Sequence, residues 1–163
     1  GSKLVIAAAG DKKRSLWTEL TDSFALPRPF AQFKMIMPGV LAIEEPPFLS
    51  YEQTETEIQI LNSALASSDL DGLPLFIMCD DAGFVAKTIN NFVWVSFTRS
   101  NPSHDIYGIN SFTEHKHWGC RGPLIIDARI KKHHAPELIK DAQVEKKVDS
   151  MFDKGGALYG IMH

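Results

Sequence analysis

The sequence predicts an α/β domain: three layers, with a mostly parallel sheet flanked by helices on both faces. Two observations carry this. Strand-like and helix-like segments alternate along the chain, and several strand-like runs are apolar throughout rather than at every second position. Leu73 to Cys79 is the clearest such run. A chain of 163 residues with 44% hydrophobic and 23% charged residues also has the makings of a packed core.

Each element follows from local signals. Lys3 to Gly10 reads as a buried strand closed by glycine, and Leu16, Trp17 and Leu20 recur at helical spacing behind Asp11. Phe33–Met37 is a short strand stopped by Pro38-Gly39, and Val40–Ile43 is a second. Ser50, with Gln53 three residues on, marks a helix start, and Ile58, Leu61 and Leu65 form its apolar stripe. Asp80-Asp81 after the Leu73 strand are placed to cap a helix carrying Phe84, Val85, Thr88, Ile89 and Phe92. Phe92–Phe97 reads as a strand. Residues 98–118 have no sustained period and are expected to be a long functional or interface segment. Gly122–Lys131 holds the last strand, and Gln143–Lys154 a helix with Val144, Val148, Met151 and Phe152 on one side.

The formal net charge is -3 with both signs interleaved, which argues against nucleic acid or an anionic membrane surface as partner. The apolar runs are too short to span a bilayer, so no integral membrane segment is expected. Two cysteines, Cys79 and Cys120, are too few for a disulfide framework, and a cytoplasmic location fits. Gly1-Ser2 reads as an expression scar, leaving residues 3–163 as one α/β domain, expected to be part of something longer.

Gly10 alone does not make a dinucleotide-binding turn, which needs three closely spaced glycines. Glu114-His115-Lys116-His117-Trp118-Gly119-Cys120 is the segment richest in polar donors. His115, His117 and Cys120 could serve an autonomous metal- or partner-binding module, although Lys116 and Arg121 stand close by and the spacing matches no standard zinc motif. The other readings are hydrogen-bonded loop histidines over a packed Trp118, or a surface facing substrate or partner. Asp127 and Arg129 alternate on the last strand and are placed to pair at a sheet end. Arg99 is expected to be anchored by Asp105 and by carbonyls, and Lys131-Lys132-His133-His134 to be a solvated strand end. No set of nucleophile, base and oxyanion donors is complete.

The stretch from Asp80 to Pro102, with its acidic strand end, helix, Val93-Trp94, Thr98-Arg99, Pro102 and then Asp105, resembles the C-terminal part of UbiD-like decarboxylases. The likeness continues from Ser111 through the glycine turn to Asp127-Ala128-Arg129. It implies that Thr98, Arg99, Pro102, Asp105, Asp127 and Arg129 are a structural motif. It also implies a parent enzyme that removes carbon dioxide from aromatic or α,β-unsaturated acids. Its prenylated FMN, with a divalent metal (Mn) and potassium (K), would be held in an N-terminal flavin-binding domain outside this chain, with no cofactor, metal or catalytic residue here. The partners implied are the rest of the same polypeptide, the acid substrate and further copies in a homo-oligomer. Phe112, Glu114, His115, Lys116, His117 and Trp118 become the expected substrate-facing cap. On this reading the chain alone is inactive.

Overall fold

The computed structural model describes residues 3–7, 9–22, 24–30, 32–135 and 141–161. Gly1-Ser2, expected to be an expression scar, lie outside them. The chain divides into two compact units, residues 1–132 and 133–163.

The first unit is built on a five-stranded sheet. Its elements in chain order are β1 (Gln32–Met37), β2 (Val40–Glu44), α1 (Tyr51–Leu65), β3 (Leu75–Cys79), α2 (Ala82–Val85), α3 (Ile89–Thr98), β4 (Ile106–Gly108), β5 (Ser111–Glu114), β6 (His117–Cys120) and β7 (Leu124–Asp127). The sheet order is β1-β2-β3-β7-β4, while β5 and β6 form a separate two-stranded ribbon. β2, β3 and β7 run parallel, and β1 and β4 pair antiparallel along the two edges. The sheet is therefore mixed: parallel pairing is confined to three central strands, narrower than the mostly parallel sheet expected. The edges differ because β1 reaches β2 through the tight Pro38-Gly39 turn, which allows only antiparallel pairing.

Alternation along the central strands divides the core. Leu41, Ile43, Phe76, Met78 and Ile125 pack in one cluster with Leu61 and Leu65 of α1. Ala42, Ile77, Cys79 and Ile126 pack in another with Ala82 and Val85 of α2 and Phe92 and Val95 of α3. Successive strand residues point to opposite faces, so a continuous apolar run serves both clusters.

Local chemistry fixes the helix starts. Ser50 Oγ accepts from the Gln53 amide at 3.2 Å, Asp81 Oδ1 from Phe84 at 2.8 Å, and Thr88 Oγ1 from Asn91 at 3.1 Å. The Gln53 side chain donates to Glu57 at 3.1 Å rather than turning back on Ser50.

Two expected elements are corrected. Among the described residues, 3–22 contain no strand or helix, and Val5 is 84% exposed. An apolar run becomes a strand only by pairing with a sheet edge, and among the described residues this run pairs with neither β1 nor β4. Trp17 instead ties down as irregular chain: its amide donates to the Gly72 carbonyl and its carbonyl accepts from Gly39, both at 2.9 Å. The indole lies so close to Gly72 that a Cβ there would sit 2.0 Å from it. The second correction is Phe92–Phe97, which is helical. Thr88 supplies the cap, and Phe92, Val95 and Ser96 are buried at helical spacing, so packing overrides the β-propensity of the run.

The segment 98–118 carries β4, β5 and the start of β6, each too short to display a period in sequence. In the second unit α4 (Ala142–Phe152) is capped by Asp141, whose side chain accepts from Gln143 and Val144. No helix among the described residues is long and apolar enough to cross a membrane.

Candidate functional site

Polar residues gather at the carboxyl ends of the three parallel strands, the end where open α/β sheets commonly place their sites. Asp127 closes β7, and the extended chain beyond it brings Arg129 and Lys131 to the same side. Arg129 is 1% exposed and held by several partners. Its Nε donates to Asp127 Oδ1 at 3.0 Å and its Nη2 to Asp127 Oδ2 and to Thr54 Oγ1, both at 2.9 Å. Nη1 reaches the Pro46 carbonyl at 3.1 Å and Glu57 Oε2 at 3.0 Å. Lys131, fully buried rather than solvated as expected, donates to the Asp127 carbonyl at 2.9 Å and pairs with Asp105 at 3.4 Å. Phe48 covers both cations, its ring centre 5.7 Å from the Arg129 guanidinium and 5.2 Å from Lys131 Nζ.

Four buried carboxyls, on Glu45, Glu57, Asp105 and Asp127, thus surround two buried cations. Burial would raise the Asp127 carboxyl. The Arg129 hydrogen bonds and charge, helped by Lys131, more than offset that and hold it below the ordinary range. Burial likewise opposes the charge on Arg129, and Asp127 overrides it, so the guanidinium stays charged. Glu45 differs. Neither of its carboxyl oxygens has a hydrogen-bond partner among the described residues. Burial pushes it up to about 8, against the pull of Arg129 and with Glu57 and Asp127 adding to the rise. A neutral acid suits that position at pH 7.

Four side-chain hydrogen bonds hold Arg129 within the chain. The cluster is a lock joining the ends of β2 and β7 to α1 and to the Pro46 loop. Arg99 belongs to its rim and is corrected in one respect. Its Nη1 pairs with Asp80 Oδ2 at 3.3 Å, not with Asp105, and its guanidinium lies 5.0 Å from the Trp94 ring centre. Asp80 is drawn in because the same oxygen accepts from the Ile130 amide at 2.9 Å. Thr98 bonds back to the Trp94 carbonyl at 2.6 Å, and Pro102 lies in the turn whose Asn101 carbonyl accepts from the Asp105 amide at 2.9 Å.

The cap candidates lie at the other end of the sheet. Gly108 of β4 pairs with Leu124, the first residue of β7, and the β5–β6 hairpin departs from there. Asn110 anchors its base: its amide donates to Asn62 Oδ1 at 2.8 Å and its Nδ2 to the Ala66 carbonyl at 2.9 Å. At the tip His115 and Lys116 have φ of 50° and 67°, the pattern of a type I′ turn without the usual Asn-Gly. Opposed residues in such a ribbon share a face. Phe112 opposite Gly119 and Glu114 opposite His117 therefore form one face, and Thr113 opposite Trp118 and Ser111 opposite Cys120 the other. Trp118 points away from Phe112, so the six candidates do not converge as one set. Phe112 lies over Gly119, where a Cβ would come within 2.8 Å of its ring, and the Arg121 guanidinium stands 5.6 Å from the ring centre.

Among the described residues, no group of three His, Cys, Asp or Glu side chains converges as a metal site. His117 stands at the tip of β6 and Cys120 at its base, on opposite faces. Burial pushes the Cys79 thiol up to about 12, which removes it as a nucleophile. A shallow pocket of about 360 Å³ beside β1 is lined by Phe33, Lys34, Glu44, Asp81 and Gly83. Two carboxylates and no glycine-rich turn make it a poor fit for a phosphate-bearing flavin.

No family model matches the chain. It is 33% identical over 103 residues to an uncharacterised protein of Chlamydia muridarum, covering 61% of this chain and 18% of that protein. It is 30% identical over 97 residues to a 4-hydroxybenzoate decarboxylase subunit of Chlamydia pneumoniae, covering 59% of this chain and 16% of the relative. The matches thus span less than a fifth of these curated relatives. A solved vanillic acid decarboxylase of Sedimentibacter hydroxybenzoicus superposes with a TM-score of 0.37 at 14% identity, over 71% of this chain and 27% of its own. The relative from Chlamydia pneumoniae supports a UbiD-related, decarboxylase-like fragment.

Proposed function

We propose that the chain is the C-terminal substrate-capping and oligomerisation domain of a cytoplasmic UbiD-like (de)carboxylase acting on aromatic or α,β-unsaturated carboxylic acids. The observation that carries this is the 30% identity over 97 residues to a 4-hydroxybenzoate decarboxylase subunit. In that parent the domain is a three-layer α/β unit, a reading supported by the division of its core into two clusters. On this reading the prenylated FMN is held by a domain outside this chain. The flavin would act as the electron sink for the carbanion left by departing carbon dioxide.

The chain's own contribution is enclosure. The anchored hairpin offers one face, Phe112, Glu114 and His117, on which an apolar ring edge and a polar substituent would find matching groups. Closing such a surface over a reacting acid excludes water and fixes orientation. In the complete enzyme, Phe112→Ala and His117→Ala are expected to reorder relative kcat/KM across a panel of aromatic and unsaturated acids. Trp118→Ala, on the opposite face, is expected to leave the order intact. An unchanged order in all three variants removes the cap assignment.

A further inference from the structure

The pocket of about 360 Å³ beside β1 belongs neither to the charged lock nor to the hairpin. Glu44 ends β2 and Asp81 follows β3, so both acids stand at the carboxyl ends of parallel strands, where open α/β sheets place ligands. Gln32 opposite Glu44 and Lys34 opposite Ala42 stand on the sheet face that carries α2, not the face that α1 and the lock cover. Each acid is half engaged. Glu44 Oε2 accepts from the Ala82 amide at 3.1 Å, and Asp81 Oδ1 from the Phe84 amide at 2.8 Å. Those bonds answer the start of α2 and hold both carboxylates in place, which leaves Glu44 Oε1 and Asp81 Oδ2 for a ligand. Lys34 supplies the opposite charge, and among the described residues it forms no ion pair with either acid.

Gly83 keeps the gap open. A Cβ there would sit 3.1 Å from Asp81 Oδ1 and 3.5 Å from Lys34 Nζ, within reach of both charges. Its φ is not positive, so the backbone does not require glycine, and inside a helix glycine costs about 1 kcal/mol against alanine. What the missing side chain provides is room beside opposite charges.

We propose that this pocket binds a small zwitterion of the α-amino acid class. The ammonium would pair with Glu44 and Asp81, and the carboxylate with Lys34 and the side-chain amide of Gln32. The signs select the ligand. An anion alone meets two carboxylates, a cation alone meets Lys34, and a molecule carrying both charges answers all three groups. A metal ion fits poorly, because Lys34 stands beside the acids and no third carboxylate, histidine or cysteine joins them among the described residues. Asp80, the nearest in sequence, is taken by Arg99 and the Ile130 amide. The volume lies at the lower end of the range for small-molecule sites, as a ligand of amino-acid size requires. The proposal draws nothing from the decarboxylase reading.

The test is a titration of the isotope-labelled chain with L-alanine and L-leucine, followed by backbone amide resonances. Each is run beside its amine without the carboxylate (ethylamine, isopentylamine) and its acid without the ammonium (propionate, isocaproate). At least one amino acid is expected to move the amides of Lys34, Ala82 and Gly83 with a Kd on the order of 1 mM, since the ion pairs are half open to water. The amine and acid analogues should bind about tenfold more weakly or worse. Gly83→Ala keeps every charge, favours the helix and fills the gap, so it should lose about tenfold in affinity, and Lys34→Met the same. Circular dichroism checks that both variants fold. No shift with either amino acid up to about 20 mM overturns the proposal. So does binding that both variants leave unchanged, because it then lies elsewhere. An amine that binds as tightly as its amino acid also overturns it, since the pocket is then a simple cation site. None of these readouts involves decarboxylation, so this site and the enzymatic reading fail or stand separately.

Discussion

Arg129 grips Asp127 through two parallel hydrogen bonds, Nε to Oδ1 at 3.0 Å and Nη2 to Oδ2 at 2.9 Å, with both side chains out of contact with water. Breaking such a pair leaves a buried charge without its counterpart, which is costlier than never having had the pair. Asp127→Asn is therefore expected to lose about 3–5 kcal/mol of stability by urea denaturation. A loss under about 1 kcal/mol would mean that water reaches the cluster.

Glu45 gives the cluster a pH dependence. The unfolded chain releases this proton near pH 4.5, whereas the folded chain keeps it to about 8. Between those values the folded state binds the extra proton, so stability falls as pH rises across the window and levels off above it. Asp127, with its lowered carboxyl, acts in the opposite sense and only in acid, losing its contribution as pH falls below its ordinary range. Glu45→Gln should flatten the profile from pH 5 to 8 and leave the variant more stable than the native chain above pH 8, by an amount on the order of a few kcal/mol. Parallel profiles for the two proteins would place the titration elsewhere.

The hairpin tip holds two L-residues in left-handed backbone. Replacing them with the pair that the turn prefers, His115→Asn with Lys116→Gly, should stabilise the chain by about 1 kcal/mol. A raised thermal midpoint is the expected result. A lowered one would show that His115 or Lys116 makes contacts worth more than the strain.

Thr88→Ala removes the side-chain oxygen that starts α3 and should cost about 1 kcal/mol. The variant checks the one segment where strand and helix readings conflict, since capping has no meaning for a strand. No change in the urea midpoint would count against a helix over residues 89–98.

Much of the sheet is legible in the order of residues. β2, β3 and β7 are apolar runs bounded by turn formers, and Ser50 and Asp81 announce the helices they cap. Lys3 to Gly10 misleads because hydrophobicity alone does not say what is paired, and pairing depends on partners the sequence does not display. Phe92–Phe97 misleads because a β-prone run on a capped helix buries one stripe and leaves the rest outside. The charged lock is half legible. Asp127 and Arg129 alternate and do pair, but Lys131 beside Lys132 and two histidines has the look of a solvated end. Glu57 does carry a signal, since with Thr54, Leu61 and Leu65 it falls on the buried stripe of α1. Glu45 carries none, because Arg129 and Asp127, which shape its environment, lie far along the chain.

The decarboxylase reading stands or falls on the visible absorbance of the complete polypeptide, purified after production with a supply of prenylated flavin, beside that of the present chain. A flavin-type chromophore is expected in the complete protein, with carbon dioxide released from at least one aromatic or unsaturated acid, and neither property in residues 1–163 alone. A folded complete protein that takes up no flavin under those conditions would contradict the reading.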